Sequence, residues 1–469
     1  MLKMVILALS VCLIAIKGGG MELLVKAPSD VVVGEKFKVE VVPLDDEGNV
    51  IKDFSETVTL FIEGQVDKQE ITMETFKVKK DSKVIFSFVR GETYISLNKE
   101  GWHQILITDG KNTTRFPVRC HKESPKYKIY WGEIHTHSSY CGDAAGGAFD
   151  PYKSYAWGRY VACLDFATIV AHHWSLNEKK WNSLAQITNE WNKPKEGFVT
   201  ILGYEWGQGD VVGSRINHNN VYFLADEGPL APNMKSVKDF WKFLDNNSKV
   251  PTIAIPHHPA LKGIRTEWDT YNEKYQPVVE IFSQHGNSEC EGALHQGVCN
   301  WKEGYVQNAL EKGYILGFIA GSDNHGGRLG TNSKVGARGG GPRVGLAAIF
   351  AESLDRKGLW EGLKTRYCYG TTGAQRIIID FQINGHRMGE VFMSSTGPKK
   401  IFIEVAGTTK IKKIEIIKNN KIFCEVEGKS WYEKIEKVDN SFQRGRDFYY
   451  VRVTQEDDNL AWSSPIWVK

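Results

Sequence analysis

His135-Thr136-His137, Asp143, His172-His173, Glu205, His218, His257-His258 and Asp323-Asn324-His325 set imidazoles and carboxylates in small groups along the chain. Most of these groups close a short apolar run. Neutral imidazole and carboxylate are the donors that suit zinc, manganese and iron. A lone buried histidine is ordinarily a hydrogen-bonded core residue; the joint pattern is what points to metal, with donors enough for more than one ion. His135 and His137 stand at i and i+2, positions that share a face when the backbone is extended. Asp323 and His325 repeat that spacing with a carboxylate. Glu205 and Asp323 suit a bridging role, because the two oxygens of a carboxylate can each bind a different cation.

The elements that must position these groups alternate. Apolar runs at 128–134, 166–170, 199–202, 252–255, 278–282 and 315–320 read as strands, and 151–161, 178–191, 237–246, 305–312 and 354–365 read as helices. Such alternation predicts parallel strands with crossover helices, as a barrel or an open sheet. In barrels of this type the chemistry lies at the carboxyl ends of the strands, and His135, His172, Glu205, His257 and Asp323 fall there. Short strands and turns over 22–119 predict an immunoglobulin-like sandwich without a catalytic cluster. The β pattern returns from Arg376, with Asn384-Gly385 as a hairpin turn, and predicts a second small sandwich.

Composition narrows the partners. The 469 residues carry 59 basic and 56 acidic side chains, a balance that points away from nucleic acid or a charged membrane surface. Lys3, an apolar run over 4–16 and Lys17 match a secretory signal over 1–20 and are too short for a stable transmembrane span. The expectation is a secreted or extracytoplasmic protein; a start at Met21 would make it cytoplasmic. The eight cysteines form no CxxC pair and read as mostly reduced and buried.

The strand-end His-x-His, the histidine at the second strand, the strand-end Glu, the histidine before proline and the closing Asp-x-His resemble the polymerase and histidinol phosphatase (PHP) superfamily, over 128–469. Trp131-Gly132-Glu133-Ile134-His135-Thr136-His137, His285-Gly286-Asn287-Ser288-Glu289, Tyr369-Gly370-Thr371-Thr372-Gly373 and Ala461-Trp462-Ser463-Ser464-Pro465 resemble an uncharacterised PHP-like metal-dependent phosphoesterase branch of it. The resemblance implies an α/β fold: a distorted (β/α)7 TIM-like barrel at 128–375, here flanked by β-sandwich domains at 21–122 and 376–469. It also implies two or three divalent metal ions and hydrolysis of a phosphoester by activated water.

By the same resemblance His135 and His137 are first-motif ligands, with Asp143 in the place of a third. His172 matches the second motif, Glu205 the bridging Glu, and Asp323 and His325 the last motif; catalysis would rest on Glu205, Asp323 and His325. Two departures stand out. Ala171 precedes His172 where the motif usually has Asp, and Pro256-His257-His258-Pro259 offers two histidines where one is usual. His257 is nearer the strand end, with His258 second, and His218 stands as either a ligand or a neighbour of one.

The substrate would be a small-molecule or glycan-linked phosphoester. His285 and Glu289 read as rim residues facing it, and Arg328 and Arg343, with Arg338 and Arg376, as candidate cations for phosphoryl oxygens. Gly339-Gly340-Gly341 reads as a mobile lid, since no nucleotide P-loop pattern follows. Two other readings remain: hydrolysis of an amide, lactone or sulfate ester, or a surface glycan-binding protein with a structural metal.

Overall fold

Val58, Leu60 and Ile62 are buried while Thr59 and Phe61 are half-buried, the period-2 pattern of a strand with one face on a core. This and similar strands build the first part of the chain in the computed structural model, which describes residues 21–63, 68–209, 216–338, 341, 343–393, 397–441 and 447–469. The expected signal segment, and Gly339 and Gly340 of the expected lid, lie outside the described residues. One sheet runs Met21–Lys26, Lys36–Asp45, Lys83–Ser96, Met73–Lys80; the other runs Asp30–Val32, Thr113–His121, Gly101–Thr108, Val58–Ile62, Lys68–Ile71. Leu23, Val39, Val41, Leu60, Ile105 and Val118, drawn from both sheets, share one core.

Burial then ties this region to the next. Val42, Leu44, Val78 and Phe88 belong to the same apolar cluster as Trp131, Phe149 and Trp157. Buried Arg376 donates to the carbonyls of Val25 (3.4 Å), Ala162 (3.2 Å) and Cys163 (2.8 Å), which explains why it is not available to a substrate.

In the central region the strand Lys128–Thr136 pairs with Phe166–Ile169 in parallel and with Gly345–Ala351 antiparallel. Leu202–Gln208, Ile216–Phe223 and Thr252–Pro256 form a separate antiparallel sheet, and Val278–Ser283 pairs in parallel with Gly317–Ala320. The chain is mixed α/β, mostly β, in several sheets, and the hydrogen-bonded strand order traces no closed barrel among the described residues. Two antiparallel members, Ile216–Phe223 and Gly345–Ala351, depart from the strict alternation of parallel strand and crossover helix of a regular barrel. The separate sheets touch through single parallel bridges, Thr136↔Asn324 and His172↔Glu205.

The helices cover these sheets by amphipathic spacing. Val237, Phe240, Trp241 and Leu244 are the buried positions of Val237–Asn247, at i, i+3, i+4 and i+7. Phe240 stacks on Trp206 at 4.0 Å, and the Ser236 hydroxyl caps the first turn by accepting from the Asp239 N–H. Among the described residues no helix is long and apolar enough to cross a membrane.

The sheet holding Lys128–Thr136 continues through Gly345–Ala351, Cys368–Thr372, Leu460–Ser463, Asp447–Gln455, Ile411–Lys418 and Lys421–Glu427. Tyr369, Gly370 and Thr371 pair directly with Ser463, Trp462 and Ala461, so hydrogen bonds run across the boundary drawn at 375/376. A second sheet of His386–Arg387, Ile378–Ile383, Lys399–Ala406 and Tyr432–Asp439 supplies the other layer at this end. Ser464 adds a brace, accepting from the Phe318 N–H (2.8 Å) and donating to the Cys368 carbonyl (2.6 Å).

Candidate metal centre

Backbone pairing sets the two x-spaced motifs side by side. The Asp323 N–H donates to the His135 carbonyl (2.7 Å), and the His137 N–H donates to the Asn324 carbonyl (2.8 Å). His135, His137 and Asp323 therefore converge: Nε2 of His137 lies 3.1 Å and Nε2 of His135 3.4 Å from Oδ1 of Asp323. The second bridge does the same for Glu205, whose N–H donates to the Ala171 carbonyl (3.0 Å). Ala171 thus offers backbone, and the carboxylate at this bridge comes from Glu205.

Glu205 is the hub. Its Oε2 lies 3.1 Å from His137 Nε2, 3.2 Å from His172 Nδ1 and 3.6 Å from His135 Nε2. Its Oε1 lies 2.5 Å from His218 Nδ1 and 3.3 Å from His257 Nε2. Ligand-type atoms within 4.8 Å of one another form four groups: His135–His137–Glu205–Asp323, Glu205–His218–His257–His258, Asp143–His172–His325, and His137–Cys141–His172. Every residue named as a metal candidate from sequence is thus brought into one connected cluster, His218 and both members of the doubled pair included.

Adjacent residues of an extended strand point to opposite faces, yet His257 and His258 turn to one group, their rings 4.2 Å apart. A left-handed backbone at His258 (φ 35°) makes this possible, and Asp323 (φ 55°) adopts the same region. For residues other than glycine that conformation costs about 1–3 kcal/mol and is kept where surrounding structure fixes it.

Residues that the sequence reading did not single out hold the histidines from behind. Both oxygens of buried Glu280 lie against Nδ1 of His135, at 2.9 and 3.1 Å. Buried Glu133 accepts from the backbone N–H groups of His135 (2.8 Å) and Ser322 (3.0 Å). Cys141 Sγ is 3.1 Å from His137 Nδ1, the Asp323 carbonyl is 3.0 Å from His325 Nδ1, and Trp174 stacks on His172 at 4.1 Å. A signal for Glu280 and Glu133 was present: each is a lone carboxylate inside an apolar strand, where an unpaired charge is rare.

Gly321 completes the support. A Cβ there would stand 2.4 Å from Oε2 of Glu280 and 2.8 Å from Cβ of His135, so only glycine lets that pair meet.

Electrostatics follow from packing opposite charges in a dry place. Burial opposes ionisation of Glu205 and Asp323, but facing imidazoles outweigh it and hold both well below the usual carboxylate range: His172, His257 and His218 for Glu205, His135 and His285 for Asp323. Burial likewise opposes protonation of His135, yet Glu280 and Asp323 raise it well above the usual value. His172 rises to about 9, against burial, through Glu205 and Asp143. His325 falls to about 4 through burial and the neighbouring His137, and His258 falls well below the usual value through burial and then His257 and His218. Burial pushes Glu133 up to about 8.

The donor set fits divalent cations. His135 Nε2, His172 Nδ1, His218 Nε2, His257 Nε2, His258 Nδ1, His325 Nε2, Glu205 Oε2 and Asp143 Oδ1 are all buried without a hydrogen-bond partner. Orphaned polar atoms are individually costly to bury, and here they converge in the same groups of ligand-type residues.

Of the four residues expected to face a substrate, one reaches the cluster. His285 Nε2 lies 3.0 Å from Asp323 Oδ2. Glu289 is buried elsewhere, accepting from Tyr450 (2.7 Å), Arg452 (2.9 Å) and Trp462 (2.8 Å), a tie to the C-terminal strands rather than a rim position. Arg328 lies over Phe149 (4.3 Å) and Arg343 donates to Asn459 (2.5 Å), so neither is directed at the donors. Arg338 is the arginine at the cluster, 3.1 Å from Asp143 Oδ2.

Residues 163–312 match the model of a family described as a protein of unknown function, DUF3604. That span holds His172, Glu205, His218, His257, His258 and His285, but not His135, His137, Asp323 or His325. An uncharacterized protein of Chlamydia pneumoniae is 25% identical over 474 residues, covering 94% of this chain and 73% of that one. One of Chlamydia muridarum is 26% identical over 473 residues, with the same coverage. Among solved structures, a two-domain protein from Bacteroides vulgatus, described as containing a predicted PHP-like metal-dependent phosphoesterase, is 13% identical with a TM-score of 0.38, covering 72% of this chain and 96% of that one.

Proposed function

We propose that this protein is a metal-dependent hydrolase acting on phosphoesters. The observation that carries the reading is the division of Glu205: one oxygen faces His135, His137 and His172 while the other faces His218 and His257. A carboxylate so shared is suited to serve two neighbouring cations. His135, His137, Glu205 and Asp323 would hold one; Glu205, His218, His257 and His258 a second; Asp143, His172 and His325 a third. Zinc, manganese or iron bound there would supply Lewis acidity toward a phosphoryl oxygen and an activated water.

The protein's own part is orientation. Glu280 and Cys141 occupy the Nδ1 sides of His135 and His137 and leave the Nε2 sides toward Glu205 and Asp323. Such outer partners fix which ring nitrogen is free and how the ring stands. Burial of nearly all the donors excludes bulk water, which strengthens every charge interaction within the centre. Asp143, about one-third exposed, and His285 are the more open members and mark the side from which an ester would approach. The resemblance to the PHP superfamily, read from the motifs, supports the phosphoester as the bond.

Metal analysis of purified protein together with hydrolysis of p-nitrophenyl phosphate and bis-p-nitrophenyl phosphate tests the reading. The expected result is bound metal above one equivalent and cleavage of at least one ester, abolished by Glu205→Gln. Stoichiometric metal with neither ester cleaved would overturn it, and would favour an amide, lactone or sulfate ester, or glycan binding.

A further inference from the structure

Asp143 is claimed from two sides. Its Oδ2 lies 3.3 Å from both His172 Nε2 and His325 Nε2, the two imidazoles of its donor group. The same oxygen lies 3.1 Å from Nη1 of Arg338, and Nη2 of Arg338 donates to the Asp143 carbonyl. The guanidinium therefore places its charge on the oxygen where a cation of that group would bind. Among the described residues no other arginine or lysine forms an ion pair with Asp143, Glu205 or Asp323.

Arg338 is also held in reach of the centre. Its backbone N–H donates to Gln284 Oε1 (2.9 Å), and Gln284 Nε2 donates to the Asp323 carbonyl. The side chain is 39% exposed, so solvent reaches it, while its backbone N–H is pinned beside the donors.

We propose that Arg338 is a latch that couples metal loading to substrate binding. It neutralises Asp143 while the Asp143–His172–His325 group is without a cation. With Asp143 committed to a cation, like charges can no longer share one oxygen. The guanidinium then turns to the opening and grips two oxygens of the phosphoryl group, a bidentate contact that lysine cannot reproduce. This rests on the phosphoester reading above and specifies the residue that recognises the anion.

The test uses the full chain, zinc and inorganic phosphate, with Arg338→Met and Arg338→Lys variants. Zinc titration of chelator-treated protein should show the weakest equivalent binding about 2–5-fold tighter in Arg338→Met, the scale of losing a half-exposed ion pair that competes for the carboxylate. Phosphate binding to the zinc-loaded protein should weaken about 10-fold in Arg338→Met and recover in part in Arg338→Lys. Unchanged or weaker zinc binding in Arg338→Met, with a wild-type thermal melt in Arg338→Lys, overturns the latch. Unchanged phosphate affinity in Arg338→Met overturns the grip. If phosphate binding depends on Arg338 while no phosphoester is cleaved, the latch stands and the hydrolase reading is what fails.

Discussion

Nδ1 of His135 lies 2.9 Å from Oε2 of Glu280, and neither side chain is more than 1% exposed. The carboxylate reaches the imidazole from a different sheet, so two independently paired pieces of the chain meet at one ring. The pairing selects which nitrogen of His135 is presented to Glu205 and Asp323.

Glu280→Gln should therefore weaken metal binding about 10–100-fold, the usual effect of losing a carboxylate behind a ligating histidine. Competition with a chromophoric chelator measures it. A variant that melts as wild type and binds metal equally well would show that Glu280 serves only the fold.

Glu289 provides the contrast. Glu289→Ala should cost about 3 kcal/mol of stability, because it leaves Tyr450, Trp462 and one arm of Arg452 without their buried acceptor. Arg452 keeps Glu415 at 2.8 and 2.9 Å, which limits the loss. Denaturant unfolding reads the change, and metal content per folded molecule should stay at the wild-type value; metal loss without destabilisation would place Glu289 in the centre after all.

Protons and cations compete for the same nitrogens. His172 is raised to about 9, and His135 and His137 stand well above the usual imidazole value, so they hold protons at neutral pH that a cation must displace. Metal affinity should rise from pH 6 to pH 9, with protons released on binding, as calorimetry in buffers of different ionisation heat would measure. Chelator-treated protein should respond in the opposite sense. A folded-state value raised above the unfolded one gives stability that is full below about 6.5 and is lost as pH rises through about 9. His172→Gln should flatten that part of the chelated protein's stability curve; an unchanged curve would remove His172 as its source.

The donors were legible because residue type and i, i+2 spacing at strand ends are local properties. His135, His137, Asp323 and His325 needed only the sequence around each. Strand pairing was not local. Nothing within Ile216-Asn217-His218-Asn219-Asn220 suggests a strand, since its polar run reads as a loop until Leu202–Gln208 and Thr252–Pro256 pair with it on either side. The direction of an arginine in a glycine-rich stretch is likewise set by distant partners. Arg328, Arg338 and Arg343 look alike in sequence, yet Phe149, Asp143 and Asn459 draw them to different places. Glu280 and Glu133 could have been noticed as charges inside apolar strands, but which histidine Glu280 holds depends on a contact across 145 positions.

The shared sheet and the Ser464 brace bear on the order of events during synthesis. A nascent chain that has already exposed every donor from His135 to His325 still lacks Leu460–Ser463, the neighbour of Cys368–Thr372, and Ser464, which secures Phe318 on the strand leading to Asp323. The donors exist well before the scaffold that aligns them. If the cluster holds metal, loading of the complete centre would then come late in biogenesis, after residues 460–464 have left the ribosome.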